Sequence, residues 1–186
     1  MTEETTTSAP PPAPDGINDI VGWYTLAATA TGAVPVPASS LAIVANNGFM
    51  IAHISAKIGA PVTWSTVLSS LGLAGTMNIA GRSVFIEAAK TLSWGTGSIW
   101  AAAALSAIGA STAGLQTYVV GLLAIEIARR GGVPLQQDLA SVIISDAKRN
   151  YKAFLEQMRG KKLSDPGTPD PAKVRDVEGE PPRDEV

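Results

Sequence analysis

The chain has 186 residues, with 14 basic and 16 acidic side chains and a formal net charge of −2. That length accommodates one domain of ordinary size with tails. Because the chain contains no cysteine, disulfides, thiol catalysis and cysteine-based metal sites are excluded.

Other catalytic patterns are also missing from the sequence. No phosphate-binding loop of the form GxxxxGK[ST] occurs, and Gly72-Leu-Ala-Gly75 has the wrong spacing for a dinucleotide fingerprint. The single histidine, His53, would need a nearby acid to act in a triad, and no aspartate lies between Asp19 and Asp138. We therefore expect no enzymatic activity, no metal and no other cofactor.

Charge is distributed unevenly along the chain. A soluble domain averages roughly a quarter charged residues. Residues 129–162 carry eight basic against three acidic side chains, and residues 163–186 carry three basic against seven acidic ones. Residues 20–125 contain only four formally charged side chains, which are Lys57, Arg82, Glu87 and Lys90.

The periodicity predicts an all-α fold, a Gly/Ala-rich bundle of about five helices. Residues 1–16 are rich in proline and threonine and read as a disordered leader, whereas residues 163–186 read as a disordered acidic tail. Residues 17–162 form the helical domain, and Thr63 is the predicted N-cap of its third helix. The predicted helices lie at about 17–31, 38–58, 64–92, 98–128 and 135–160.

The fourth predicted helix, at 98–128, is the stretch around which the others are organised. Most of it falls in a run of 35 residues, 91–125, that contains no charge. At 1.5 Å per residue it would be about 46 Å long, so we expect it to tilt, to protrude, or to break near Gly109 or Gly114. Small residues at helical spacing predict close helix packing, of the glycine-zipper type, at Gly72, Gly75, Gly81, Gly109, Ala113, Gly114, Thr117 and Gly121.

Two interpretations of this charge-poor region remain open. In one, the segment at 98–125 and part of 64–81 enter a bilayer, which about twenty apolar residues suffice to cross. In the other, a water-soluble bundle has an Ala- and Gly-rich core. The membrane interpretation predicts a lipid or partner surface formed by the bases that follow, which are Arg129, Arg130, Lys148, Arg149 and Lys152.

Three polar residues interrupt the apolar second helix. His53 reads as a core or interface residue with a hydrogen-bond partner rather than as a ligand. Asn46 and Asn47 are poor helix formers, and we interpret them as donors or acceptors of interhelical hydrogen bonds.

The order of short motifs resembles a known family. The motifs are Val34-Pro-Val-Pro37, Lys57-Ile-Gly59, Pro61-Val-Thr63, Gln116-Thr-Tyr118 and Arg130-Gly-Gly132. Over about residues 30–160 the chain resembles the bacterial helical family named domain of unknown function 697, found in YcjF-like inner-membrane proteins and after small GTPase domains. Trp94-Gly-Thr-Gly97 departs from the family, which more commonly has Pro-Gly-x-Gly there.

The resemblance implies a membrane-associated helical module whose partner is a separately encoded GTPase. It carries no catalytic residues to this chain. We therefore expect a non-enzymatic anchor or accessory protein at the bacterial inner membrane, with the basic C-terminal helix on the cytoplasmic side. The alternatives are a soluble, cytoplasmic α-helical adaptor and a self-assembling pore- or vesicle-associated protein. Membrane lipid, a protein partner and a second copy of the chain are the candidate partners, and we expect no nucleic acid.

Overall fold

The computed structural model of the chain describes residues 10–34, 39–72 and 99–178. Over these residues the fold is all-α, as the sequence predicts, and none of them lies in a strand. One helix more than the predicted five is present. The helices are α1 (Ile17–Ala33), α2 (Ser39–Ile58), α3 (described over 64–72), α4 (Ile99–Arg129), α5 (Gln137–Arg159) and α6 (Pro171–Glu178).

The start of α3 is fixed by a reciprocal pair of threonine hydrogen bonds. The backbone N–H of Thr66 donates to Thr63 Oγ1, and the N–H of Thr63 donates to Thr66 Oγ1, each at 3.1 Å. Such a pair satisfies two backbone donors that the first helical turn leaves free. The predicted N-cap at Thr63 is confirmed. The later part of the predicted third helix, with Gly75 and Gly81, lies outside the described residues.

α4 is the central helix of the described bundle. It runs unbroken for 31 residues through Gly109 and Gly114, and it packs against α1, α2 and α5. Between residues 109 and 128 only Ser111 is exposed to solvent. A helix that is apolar on every side is stable in water only when other elements surround it, and the three neighbouring helices supply that cover.

α1 runs antiparallel to α4 and lies very close to it. Gly32, near the end of α1, faces Gly109, while Val21 faces Gly121 further along α4. A Cβ atom added at Gly32 would lie 2.5 Å from the Gly109 carbonyl oxygen and 2.7 Å from the Ala113 Cβ. The two backbones can approach this closely only because no side chain stands between them.

α2 runs parallel to α4 and is joined to it by a buried hydrogen bond. The Thr117 hydroxyl donates to Asn47 Oδ1 at 2.8 Å, and one turn further along both helices Met50 lies against Gly121. Thr117 is fully buried, so this bond satisfies a hydroxyl that would otherwise be costly in the core.

α5 is an amphipathic helix that lies across α4. The Tyr118 ring of α4 stacks on Phe154 with ring centroids 4.2 Å apart, and Tyr151 packs beside it at 5.7 Å. Further along α5, Met158 is buried against Gly22 of α1. α5 thus covers the side of α4 that α1 and α2 leave open, and its opposite face is exposed.

The predicted disordered tail at 163–186 needs correction over its described part. α6 forms within it, because the Asp170 carboxylate accepts a hydrogen bond from the Ala172 N–H at 2.9 Å and so caps the first turn. α6 packs against α2, and its Val177 is buried. The acidic composition of the segment conceals a short helix that is ordered by its contact with α2.

The predicted disordered leader at 1–16 also differs from the structure where it is described. Residues 10–16 are not helical, but Pro10 and Pro11 contact the Arg129 side chain at the end of α4. Residues 1–9 and 179–186 lie outside the described part of the chain.

Two helical glycines allow the close approach of α1 and α4 to be tested. We expect Gly32→Ala to lower the free energy of unfolding by about 1–3 kcal/mol, because the new methyl group would overlap the backbone of α4. Gly48→Ala is the matched control, since its Cβ would meet only Trp64 Nε1 at 3.5 Å. That change should be neutral or stabilise by up to about 1 kcal/mol through helix propensity. Urea unfolding measures both, and equal effects of the two changes would contradict the close approach.

Candidate functional site

One end of the bundle exposes apolar side chains, and none of the described residues there is charged. It lies where α1 ends and where α2 and the described side chains of α4 begin. Residues 20–56 and 107–125 contain no Asp, Glu, Lys or Arg. We call this surface the apolar end and define it by its exposed members, which are Val34, Leu41, Val44 and Ile108.

Exposure is substantial at this end. Leu41 is 72% exposed and Val44 is 54% exposed, although a folded domain normally buries most leucine and valine side chains. Scattered apolar residues need no explanation, but a group of them without a nearby charge marks an interaction or membrane surface.

Charged residues gather at the opposite end of the bundle. Arg129 and Arg130 at the end of α4 both pair with Glu126, at 2.8 and 2.7 Å. Lys161, after α5, pairs with Asp19 in the first turn of α1. Such pairs lie at the last turn of α4 and between the start of α1 and the segment after α5, so the described part of the bundle has one apolar and one charged end.

The predicted basic surface is divided between two helices. Arg129 is held within the structure by Glu126 and the leader, whereas Lys148, Arg149 and Lys152 lie on the exposed face of α5. Arg149 pairs with Asp146 one turn earlier. The three bases of α5 are therefore in contact with solvent, and Arg129 has a local structural role.

The small residues predicted to pack helices lie against other helices of the same chain. Gly109 and Ala113 face Gly32, Thr117 bonds to Asn47, and Gly121 faces Val21 and Met50. All of these α4 residues are buried, as is Gly114, so they are not exposed to a second copy of the chain.

Two further predicted packing positions have identifiable neighbours. Gly114 lies beneath the hydroxyl groups of Tyr151 and Thr29, where a side chain would displace both. Gly72 adopts a left-handed conformation with φ of 67°, and the Gln137 side chain lies against it.

A polar cluster lies between α1 and α2. The Tyr24 hydroxyl lies 2.7 Å from His53 Nδ1, and the Asn46 side-chain amide donates to the Tyr24 carbonyl at 3.1 Å. Burial, with the negative charge of Asp165 as a smaller cause, raises the pKa of Tyr24 to about 12. We therefore assign the hydroxyl as the donor to Nδ1, which leaves the imidazole proton on Nε2. The interhelical bonds predicted for Asn46 and Asn47 are confirmed.

His53 also borders a surface cleft of about 490 Å³. Burial lowers the pKa of His53, and the nearby carboxylate of Asp165 partly opposes this. Opposite charges line the cleft and none of the described residues forms a group of three metal-binding side chains. The cleft is lined by Gly16, Asp19, Ile20, His53, Ala56, Lys57, Lys162, Ser164, Asp165 and Pro166.

Sequence reasoning did not find the partners of His53. Tyr24 lies on the apolar face of α1, where it reads as a core residue, and Asp165 lies in the segment taken as a disordered tail. The exposed members of the apolar end were also not singled out, because the hydrophobic pattern of α2 does not show which of its faces the bundle covers.

By length and composition, two helices of the described chain could cross a membrane, over Leu41–Ile58 and Ala107–Arg129. The core helix of a water-soluble protein meets the same criteria, and α4 is mostly buried within the bundle. In the most apolar 18-residue stretch of each helix, 39% of the residues are buried in α2 and 67% are buried in α4. α2 therefore offers much more of its apolar surface to the surroundings than α4 does.

Comparison with protein-family models, with curated proteins and with solved structures finds no match to this chain. The resemblance to the domain of unknown function 697 stays a prediction from the motifs.

The lowered pKa of His53 predicts a pH dependence of stability. The imidazole has a pKa of about 6.5 in the unfolded chain, and the folded state binds the proton less tightly. Stability is therefore lost as the pH falls below about 6.5. His53 is the only histidine in the chain. We expect the urea concentration at the unfolding midpoint to decrease as the pH is lowered from about 7.5 to about 5.5. The decrease should be smaller in His53→Gln, which keeps an acceptor for the Tyr24 hydroxyl. Identical pH profiles of the two proteins would contradict the assignment.

Proposed function

We propose that this protein is a membrane-docking helical bundle that inserts its apolar end into one leaflet of a bilayer. The observation that carries the proposal is the separation of the two ends. The exposed Val34, Leu41, Val44 and Ile108 lie together at one end, and ion pairs lie at the other. Burial of apolar surface in hydrocarbon drives such docking, while the charged end stays in water.

The position of α5 sets the depth to which the bundle can enter. Tyr151 of α5 reaches Gly114 of α4, and the neighbouring Arg149 and Lys152 face solvent. The 15 residues of α4 that precede this contact, from Ile99 to Ala113, make up about 22 Å of helix. A bilayer core is about 30 Å thick, and burying the charges of α5 would be costly. Docking in one leaflet is therefore favoured over spanning by α4.

The anchoring role is a second step of the proposal. A non-enzymatic accessory at the bacterial inner membrane, with a separately encoded GTPase as partner, rests on the sequence resemblance alone. The alternative of a soluble adaptor is favoured by one observation, the burial of α4 on nearly all sides. Membrane binding distinguishes the two.

Flotation of the purified protein with liposomes tests docking. We expect wild-type protein to float with vesicles, and Val44→Asp to lower its partition coefficient at least about tenfold. The reason is that burying a valine contributes roughly 1.5–3 kcal/mol, and 1.4 kcal/mol is a factor of ten. Val142→Asp is the matched control. Val142 is 56% exposed, close to the 54% of Val44, but it lies on α5 among charged residues.

Circular dichroism establishes that both variants fold. Wild-type protein that stays at the bottom of the gradient would favour the soluble adaptor. Equal losses of binding in the two variants would show that docking does not use the apolar end.

A further inference from the structure

A groove runs along the charged end of the bundle, between the last turn of α4 and the first turns of α5. It encloses about 910 Å³. Arg129 and Arg130 form one side. The other side is apolar and is formed by Val133 and Leu135, in the segment that joins the two helices, and by Leu139 of α5. Two prolines of the leader, Pro10 and Pro11, complete its lining.

The contact between leader and groove is made by one arginine. Arg129 Nε donates to the Pro11 carbonyl at 2.6 Å, and Arg129 Nη2 donates to the Pro10 carbonyl at 3.2 Å. Its third nitrogen, Nη1, donates to Glu126 Oε2 at 2.8 Å. Glu126 therefore holds the guanidinium in place, and two of its donors face the leader. A planar group with several fixed donors suits two successive carbonyls better than a lysine would.

Proline-rich backbone is the natural partner of such a donor pair. Successive prolines have no N–H groups and adopt an extended helix without internal hydrogen bonds, so their carbonyls stay free to accept. Their restricted backbone also loses little conformational freedom on binding. The leader has three successive prolines at 10–12 and a fourth at 14. The groove is larger than the two prolines that touch it, and Val133 remains 60% exposed.

We propose that this groove is a binding site for extended proline-rich segments, and that the leader of the same chain occupies it through Pro10 and Pro11. A proline-rich segment from another molecule would bind by displacing the leader. The site lies at the opposite end of α4 from the apolar end, so it does not depend on membrane docking.

Two arginines, one in the groove and one outside it, allow a matched test in the full-length chain. Because the chain has no cysteine, Ala13→Cys introduces a single attachment point for a spin label beside the bound prolines. Arg129→Ala removes both bonds to the leader, whereas Arg149→Ala removes an ion pair with Asp146 on the exposed face of α5. We expect the electron paramagnetic resonance spectrum of the label to show faster motion in Arg129→Ala and no change in Arg149→Ala.

Arg129→Lys, which keeps the charge but loses the planar donors, should lie between wild type and Arg129→Ala, and it serves if Arg129→Ala fails to fold. Equal label motion in wild type and the Arg129 variants, or equal increases in the Arg129 variants and Arg149→Ala, would overturn the proposal.

Binding of a separate segment is tested with peptides. A peptide that copies residues 8–16 should mobilise the label on the otherwise wild-type chain. Millimolar concentrations are needed, because the tethered leader competes at an effective concentration of that order. The same peptide with alanine in place of its prolines should leave the spectrum unchanged. If neither peptide or both peptides mobilise the label, the groove does not recognise proline-rich segments.

Discussion

The structure depends on enclosing one long apolar helix. From its start to Ile125, α4 carries no formal charge, and between residues 109 and 128 only Ser111 is exposed. Three other helices must therefore lie against it, and each does so at a small residue. Gly32 of α1 meets Gly109, the Tyr151 hydroxyl of α5 reaches Gly114, and Met50 of α2 meets Gly121. Close approach multiplies van der Waals contacts, which compensates for the modest apolar area that alanine and glycine provide.

Several polar groups inside this assembly are paired between helices. Thr117 of α4 bonds to Asn47 of α2, while Tyr24 of α1 bonds to His53 and accepts from Asn46. Such bonds contribute little net stability, because each replaces bonds to water. They do fix the register of α2 against both neighbours, since a shift by one residue would leave several buried polar groups without partners. The register in turn fixes which residues of α2 remain exposed at the apolar end.

The separation of the two ends follows from how charge is distributed along the chain. Residues 126–162 and the segments near Asp19 and Lys57 are charged, and the antiparallel course of α1 brings its charged start to the charged end of α4. The uncharged end of α1 and the start of α2 then fall together beside the first half of α4. A bundle built in this way has one apolar surface and one charged surface among its described residues. The groove at Arg129 belongs to the second surface.

Local pattern was enough to predict much of this fold. The bounds of α2, α4 and α5 follow from apolar periodicity, from glycine and proline at the helix ends, and from the amphipathic stripe of α5. α6 was missed because its eight residues bury only one side of a short helix, and the acidic residues around Val177 obscure that signal. The exposed positions of the candidate site could not be predicted, because a buried and an exposed valine have the same local sequence signal.

The sequence by itself therefore determined the helical class, the central uncharged helix and the small residues along it, since these are properties of neighbouring residues in one chain segment. Only the tertiary structure decided which helix each small residue meets, that Tyr24 holds His53, and that Arg129 binds the leader. The last of these contacts joins residues 118 and 119 positions apart. Its formation depends on the direction in which α1 returns along α4, and that direction is set by the packing of the whole bundle.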